Sequence, residues 1–256
     1  MKNSIVFAKR NFTEMFRDPL SWIFCIIFPI VMLVIMSAVN SAIPKEANNT
    51  LFRIDNLAGG IAIFGQMFVM LFTAIGLAKD RGGSFLTRLY SSPMKSSNFV
   101  AGYILPMMLT SLIQAVINFA AAVIVSIVTD CELDIGALLL TCLVVMPSAL
   151  MFSAIGFLFG TLFNDKAAPG LCSIIISAGA MVGGIWFDVD GVGGIMAKIS
   201  KCLPFYYATK LARASIALDF GKKEFVIPMI VVCASAVVLT VLASIVFNFK
   251  MRADQR

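Results

Sequence analysis

The sequence contains no histidine. That absence removes the side chain that most often moves protons near neutral pH and most often ligates transition metals. There is also no Cys-x-x-Cys pair among the six cysteines. Four of them sit in apolar runs, where a free thiol behaves as a small hydrophobe. Cys131 and Cys202 fall between runs, and whether they pair stays open, because sequence does not set their separation. No Gly-x-x-x-x-Gly-Lys-Ser/Thr phosphate loop occurs anywhere, so the chain carries no nucleotide site of that kind. No basic block is interleaved with aromatics, which excludes a nucleic-acid face. No paired carboxylates or activated nucleophile converge; Asp188 and Asp190 are close in sequence but read as solvating a loop. The chain is therefore read as having no catalytic residue, no metal site and no cofactor of its own. Charge is scarce too. Charged residues make up 13% of the chain, about half the usual ~25%.

What fills that space is hydrocarbon. Hydrophobic residues are 60% of the 256, against ~45–50% in soluble domains, and the whole length reads as one all-α integral membrane domain. Residues 2–18 are too polar to span. On a helix, Ile5, Ala8, Phe12, Met15 and Phe16 share a stripe, with Arg10, Glu14 and Arg17 away from it, which predicts an amphipathic helix lying in the membrane interface. Six apolar runs follow, at 20–39, 57–78, 99–128, 135–163, 167–186 and 225–249, each close to or above the ~20 residues a hydrocarbon core needs. Pro29 is expected to kink the first, and Pro147 to divide the fourth. The run 99–128 is longer than one crossing requires and must tilt, bend at Pro106 or project. Residues 187–224 mix glycines, apolar residues and lysines without a continuous span, and read as a re-entrant or surface-lying helical element on the outer side.

Orientation follows from Lys and Arg. With six spans both termini share a side, and that side collects twelve of the twenty positive residues. Six of the remaining eight lie in 187–224. The termini are therefore placed inside, and with them the polar segment 79–98, which carries Lys79, Arg81, Arg88 and Lys95 against a single acid, Asp80. No Asp, Glu, Lys or Arg lies well inside any of the six runs. Ion-coupled pumps carry such groups in the bilayer, so the energy for any transport is expected from elsewhere. The uncharged polar residues Gln66, Gln114 and Asn118 are read as interhelical hydrogen bonds or as pathway lining. Gly156-x-x-x-Gly160 and Gly179-x-x-x-Gly183 are read as close helix packing.

Several stretches resemble the permease subunits of type-2 ABC exporters. These are Arg17-Asp18-Pro19 after the amphipathic helix; Arg88-Leu89 with Pro93 after the second run; and Gly183-Gly184-Ile185-Trp186-Phe187 followed by Leu203-Pro204-Phe205-Tyr206-Tyr207. The resemblance extends over essentially the whole chain. It departs at Lys79-Asp80-Arg81-Gly82-Gly83-Ser84, where members commonly carry a Glu-rich run, and Asp80 stands in for one of those acids. The resemblance implies a multi-pass permease of a bacterial cell membrane, working with a second permease chain, identical or related. It also implies a separate ABC ATP-binding subunit that holds ATP and Mg. The segment 79–98 becomes the coupling helix: Phe85, Leu86 and Leu89 give an apolar face, and Lys79, Asp80, Arg81, Arg88 and Pro93 complete the ATPase contact. Phe12, Phe16 and Arg17 belong to the interfacial helix beside it. Lys198, Lys201, Lys210 and Arg213 would sit near departing cargo or lipid headgroups, or simply reach for water. The implied cargo is an amphiphilic drug-like, lipid-linked or peptide compound. The second class of function that the residues allow is a non-transporting membrane scaffold or sensor component that binds a partner protein.

Overall fold

The computed structural model describes residues 2–44, 50–83, 96–221 and 223–254. Among these every regular element is a helix. Helix α1 is Lys2–Arg17. Asp18 stops it and starts the next: its carboxylate accepts from the Leu20 N–H at 3.2 Å and from the Ser21 hydroxyl at 2.8 Å, and Pro19 fills the first position, where no N–H is needed. Helix α2 then runs Pro19–Ala42. It widens into a π-helical turn at Ile23–Ile27, where the Phe28 N–H reaches five residues back to the Ile23 carbonyl. The cause is Pro29, whose ring would collide with the Cys25 carbonyl four residues earlier.

Helix α3, Ile54–Gly82, is the axis of the molecule. Of its most apolar eighteen residues 89% are buried, against 22% in α2 and in the last long helix. Helix α4 is Ser96–Val128. The fourth apolar run is divided into α5, Ile135–Val144, and α6, Met146–Leu162, with Pro147 just after the break. Helix α7 is Ala167–Val182. Three short helices follow: α8, Val189–Val192; α9, Gly194–Cys202; and α10, Pro204–Ile216. The α8–α9 junction turns through Gly193 and Gly194, whose φ of 64° and 62° no side-chain-bearing residue adopts cheaply. Helix α11, Lys223–Asp254, closes the described fold.

Five segments are long and apolar enough to cross a membrane: α2, α3, α4, the α5–α6 pair and Lys223–Met251 within α11. Helix α7 is apolar but has 16 residues, about 24 Å of rise against a core of about 30 Å. All six cysteines are free, Cys131 and Cys202 included.

The tightest seam joins α3 to α6. A Cβ on Gly156 would overlap the Met70 carbonyl oxygen, and one on Gly160 would stand 2.7 Å from that of Ala74. Backbone lies against backbone there, as small residues four apart allow. Gly179 and Gly183 behave differently. Gly179 faces Met67 at an ordinary 3.5 Å, and Gly183 is pressed mainly on its own turn, 2.6 Å from the Gly179 carbonyl oxygen.

The break before Pro147 is also a junction. Gln66 Nε2 donates to the Val145 carbonyl at 3.2 Å, and the Ser148 hydroxyl donates to Gln66 Oε1 at 2.7 Å. Asn118 Nδ2 donates to the Ala58 carbonyl at 3.2 Å, joining α4 to α3. Gln114 lies buried over Gly65, and neither of its amide atoms has a hydrogen-bond partner among the described residues.

Candidate functional site

The site is assembled where α1 meets the far ends of α3 and α4. It begins with a proline. Pro106 has no N–H for the Gly102 carbonyl four residues earlier, so α4 carries an unclaimed acceptor in mid-helix. Asn11 of α1 takes it, donating from Nδ2 at 3.0 Å. The same glycine leaves room for the Phe7 ring, which a Cβ at Gly102 would strike. Phe7 stacks edge-on to Phe99 and Tyr103, with centroids 6.0 and 5.1 Å apart. Phe7, Asn11 and Met15, four residues apart, therefore form a face buried against α4. Ile5, Val6 and Phe16 remain exposed. The helix thus has two working faces rather than one stripe, and Met15 belongs to both. Phe12 stacks on Phe16 at 4.9 Å. Phe16 meets Trp22 at 4.3 Å while the Trp22 indole N–H donates to the Phe16 carbonyl at 2.8 Å, which fixes the corner between α1 and α2.

Charge is added on the next turn. Arg10 reaches Asp80 with Nη1 at 3.0 Å and Nη2 at 3.2 Å. The Tyr103 hydroxyl donates to the same carboxylate at 2.6 Å. Arg10 also meets Glu14 at 2.7 Å. Burial would lower the Arg10 pKa, but the hydrogen bond and charge of Asp80 outweigh it and hold the guanidinium above its ordinary value. One residue on, Arg81 Nη1 donates to the carbonyls of Gly160 and Thr161 at the C-terminal end of α6, where the helix dipole favours a cation. The last turn of α3 is therefore tied to α1 and α4 through Asp80 and to α6 through Arg81. Lys79 and Arg17 stay exposed beside it. Phe85, Leu86, Arg88, Leu89 and Pro93, expected from the sequence to belong to a coupling helix, lie outside the described residues.

At the opposite end of α3 a second polar cluster holds the short helices. Asp190 of α8 accepts from the Tyr206 hydroxyl at 2.7 Å and pairs with Lys201 and Lys210 at 3.1 Å each. Burial alone would raise its pKa; the bonds from Tyr206, Lys210 and Lys201 prevail and hold it down to about 2. Arg213 donates to the carbonyls of Asn56 at 3.1 Å and Gly184 at 3.0 Å. Lys201, Lys210 and Arg213 thus have structural partners. A carboxylate held low stabilises the fold above its unfolded value, ordinarily 3.8, and loses that contribution as pH falls towards about 2. Asp190→Asn is expected to speed amide exchange in α9 and the first turn of α10 roughly two- to fivefold at neutral pH, the scale of solvent-screened pairs. The parent should show the same loosening only below about pH 4, once the intrinsic exchange rate is divided out. Equal exchange at neutral pH would remove the clamp.

Among the described residues five segments of spanning length, four of them packed around the buried α3 and closed by polar clusters at both of its ends, define a polytopic membrane protein. The profile of the ABC-2 type transporter family matches residues 3–217, and the chain belongs to that family. Helix α11 lies beyond the matched stretch. No curated protein matches the chain. Members of the family form the membrane-embedded component of ABC transporters.

Sequence reasoning missed Asn11, Arg10 and Tyr103 as site residues. A signal was present: a glycine four residues before a mid-helix proline exposes a carbonyl that some other element must satisfy.

Proposed function

We propose that this chain is the membrane-spanning permease subunit of an ATP-driven ABC exporter in the cell membrane of a bacterium. Six spans place both termini in the cytoplasm, with α7 as the short fifth span, α1 in the interface plane and α8–α10 as an outward-side re-entrant element. Two permease chains, identical or related, enclose the pathway. A separate ATP-binding subunit, with its ATP and Mg, engages the segment after α3. The cargo class is an amphiphile: drug-like, lipid-linked or peptide. No charged residue lies within the apolar runs, which favours such a cargo over a bare ion and a power source outside the membrane.

The observation that carries the reading is the anchoring at Asp80 and Arg81. A coupling segment transmits force only if its root is rigid. Here the root belongs to the most buried helix and is held by α1, α4 and α6 through Arg10, Tyr103 and the α6 carbonyls. A push on the loop moves those helices together. In a scaffold the same loop needs no such bracing.

Purification of the tagged chain from native membranes in mild detergent, with mass spectrometry of co-purifying proteins, tests this. An ATP-binding subunit at about one per permease chain is expected. Recovery of the chain alone, or with a partner lacking ATPase activity, overturns the exporter reading and leaves the scaffold.

A further inference from the structure

Between α1, the start of α2 and the Asp80 ends of α3 and α4 lies a cavity of about 490 Å³. Its lining includes four apolar side chains, Met15, Phe72, Ile75 and Met107. The same lining holds three basic and three acidic side chains, so its formal charge cancels. Its bonding does not. Asp80 is taken by Arg10 and Tyr103, Glu14 by Arg10, and Asp18 by the Leu20 N–H and the Ser21 hydroxyl. Arg17 and Lys79 are the two lining cations whose exposed side chains have no hydrogen bond or ion pair to a described residue. Two positive charges with no partner among the described residues therefore stand at a cavity whose lining also includes hydrocarbon, Phe72 and Ile75 lying on the same face of α3 as Lys79.

We propose that this cavity binds a membrane phospholipid. The headgroup phosphoryl oxygens sit between Arg17 and Lys79, and the upper acyl chain runs along Phe72 and Ile75. The inference rests on the reading that α1 lies in the interface plane. A guanidinium and an ammonium on adjacent helices are a phosphoryl receptor: the first supplies a planar fork, the second a mobile point charge. Basic pockets between membrane helices on the cytoplasmic side take anionic headgroups for this reason. The cavity volume falls within the ~300–1,000 Å³ of ligand sites. A free phosphate would leave the Phe72–Ile75 wall uncovered, whereas a lipid covers it. Exposed Ile5, Val6 and Phe16 on α1 set that helix at headgroup depth. Gly76 also lines the space, and a Cβ there would meet nothing within 4 Å. A bound lipid would brace α1 against α3 beside the Arg10–Asp80 pair.

The test is native mass spectrometry of the purified chain with whatever partners accompany it, delipidated and then titrated with phosphatidylglycerol. The parent is expected to hold one lipid per chain above the random background. Two variants should each weaken that site at least tenfold. Arg17→Gln with Lys79→Gln removes the headgroup charges. Gly76→Leu fills the cavity and leaves every charge in place; it also replaces a poor helix former at an uncrowded position, so it stands if the charge variant fails to fold. Equal phosphatidylglycerol occupancy in the parent and Gly76→Leu overturns the site. A parallel titration with inorganic phosphate separates the sources. Phosphate that raises the melting temperature where phosphatidylglycerol does not bind overturns the lipid assignment. Because the readout is lipid occupancy, a failed search for an ATP-binding partner does not bear on it.

Discussion

Replacing Gly156 by alanine is expected to lower the melting temperature of the detergent-solubilised chain by roughly 6–12 °C, the equivalent of about 3 kcal/mol for a domain of this size. Most overpacking substitutions cost about 1–3 kcal/mol because side chains give way. Here the obstacle is backbone. The new methyl would overlap the Met70 carbonyl oxygen, and its other neighbours are the Thr73 Cβ at 2.9 Å and the Met70 carbonyl carbon at 3.0 Å. Relief requires α3 and α6 to separate, and α3 is the helix around which the others pack. Gly156→Leu should yield no monodisperse protein at all. Gly179→Ala provides the contrast, because its nearest neighbour is the flexible end of Met67 at 3.5 Å. It should melt within a few degrees of the parent. Fluorescence-detected size exclusion with a thermal ramp measures all three. Equal melting of the two alanine variants would show that the α3–α6 seam yields, and the description of α3 as a rigid axis would fall with it.

The two glycine pairs look alike in sequence, and this is where reading the sequence reaches its limit. Gly156 with Gly160 and Gly179 with Gly183 have the same spacing in equally apolar runs, yet only the first pair is pressed against the backbone of a neighbouring helix, while the second meets neighbouring helices at ordinary contact distances. Spacing reports which residues share a helix face, not what that face meets. The class of fold was legible because apolar runs of spanning length have few alternatives to helix. So was the break at Pro147, which follows from proline chemistry alone. The shortness of α7 was less so: the apolar run continues to Trp186, but the helix ends at Val182, where Gly183 and Gly184 interrupt it. For α1 the periodicity gave the stripe that leaves Ile5 and Phe16 exposed and not the face buried against α4. Phe7 and Asn11 flank that stripe, and a buried asparagine reads as polar until its acceptor, the Gly102 carbonyl, is known. Gln66 and Asn118 have interhelical partners, while Gln114, equally polar and equally buried, has none among the described residues.

The charge of Asp80 shows the same limit and leads to the second large effect. Its place in the resemblance to type-2 permeases assigns it to the ATPase contact; its geometry ties it to Arg10 and Tyr103, with its side chain only 14% exposed. The two roles predict different phenotypes. If Asp80 serves mainly as a brace, Asp80→Asn and Arg10→Gln should behave alike. Each should insert, keep its ATP-binding partner, and lose at least tenfold in transport per ATP hydrolysed, since losing one member of a partly buried, hydrogen-bonded ion pair leaves the other unmatched at a cost of about 1–3 kcal/mol. The double variant should be little worse than either single one, because residues in direct contact are not additive. Tyr103→Phe, which removes one donor and no charge, should fall between the parent and these variants. If Asp80 instead touches the ATPase, Asp80→Asn alone should release that subunit, and Arg10→Gln should not. Co-purification and vesicle transport on the same four preparations separate the cases. Additive losses across Arg10 and Asp80, or normal coupling in Asp80→Asn, would mean that the end of α3 is not where the loop is rooted, and the force would have to enter the membrane helices through α1 alone.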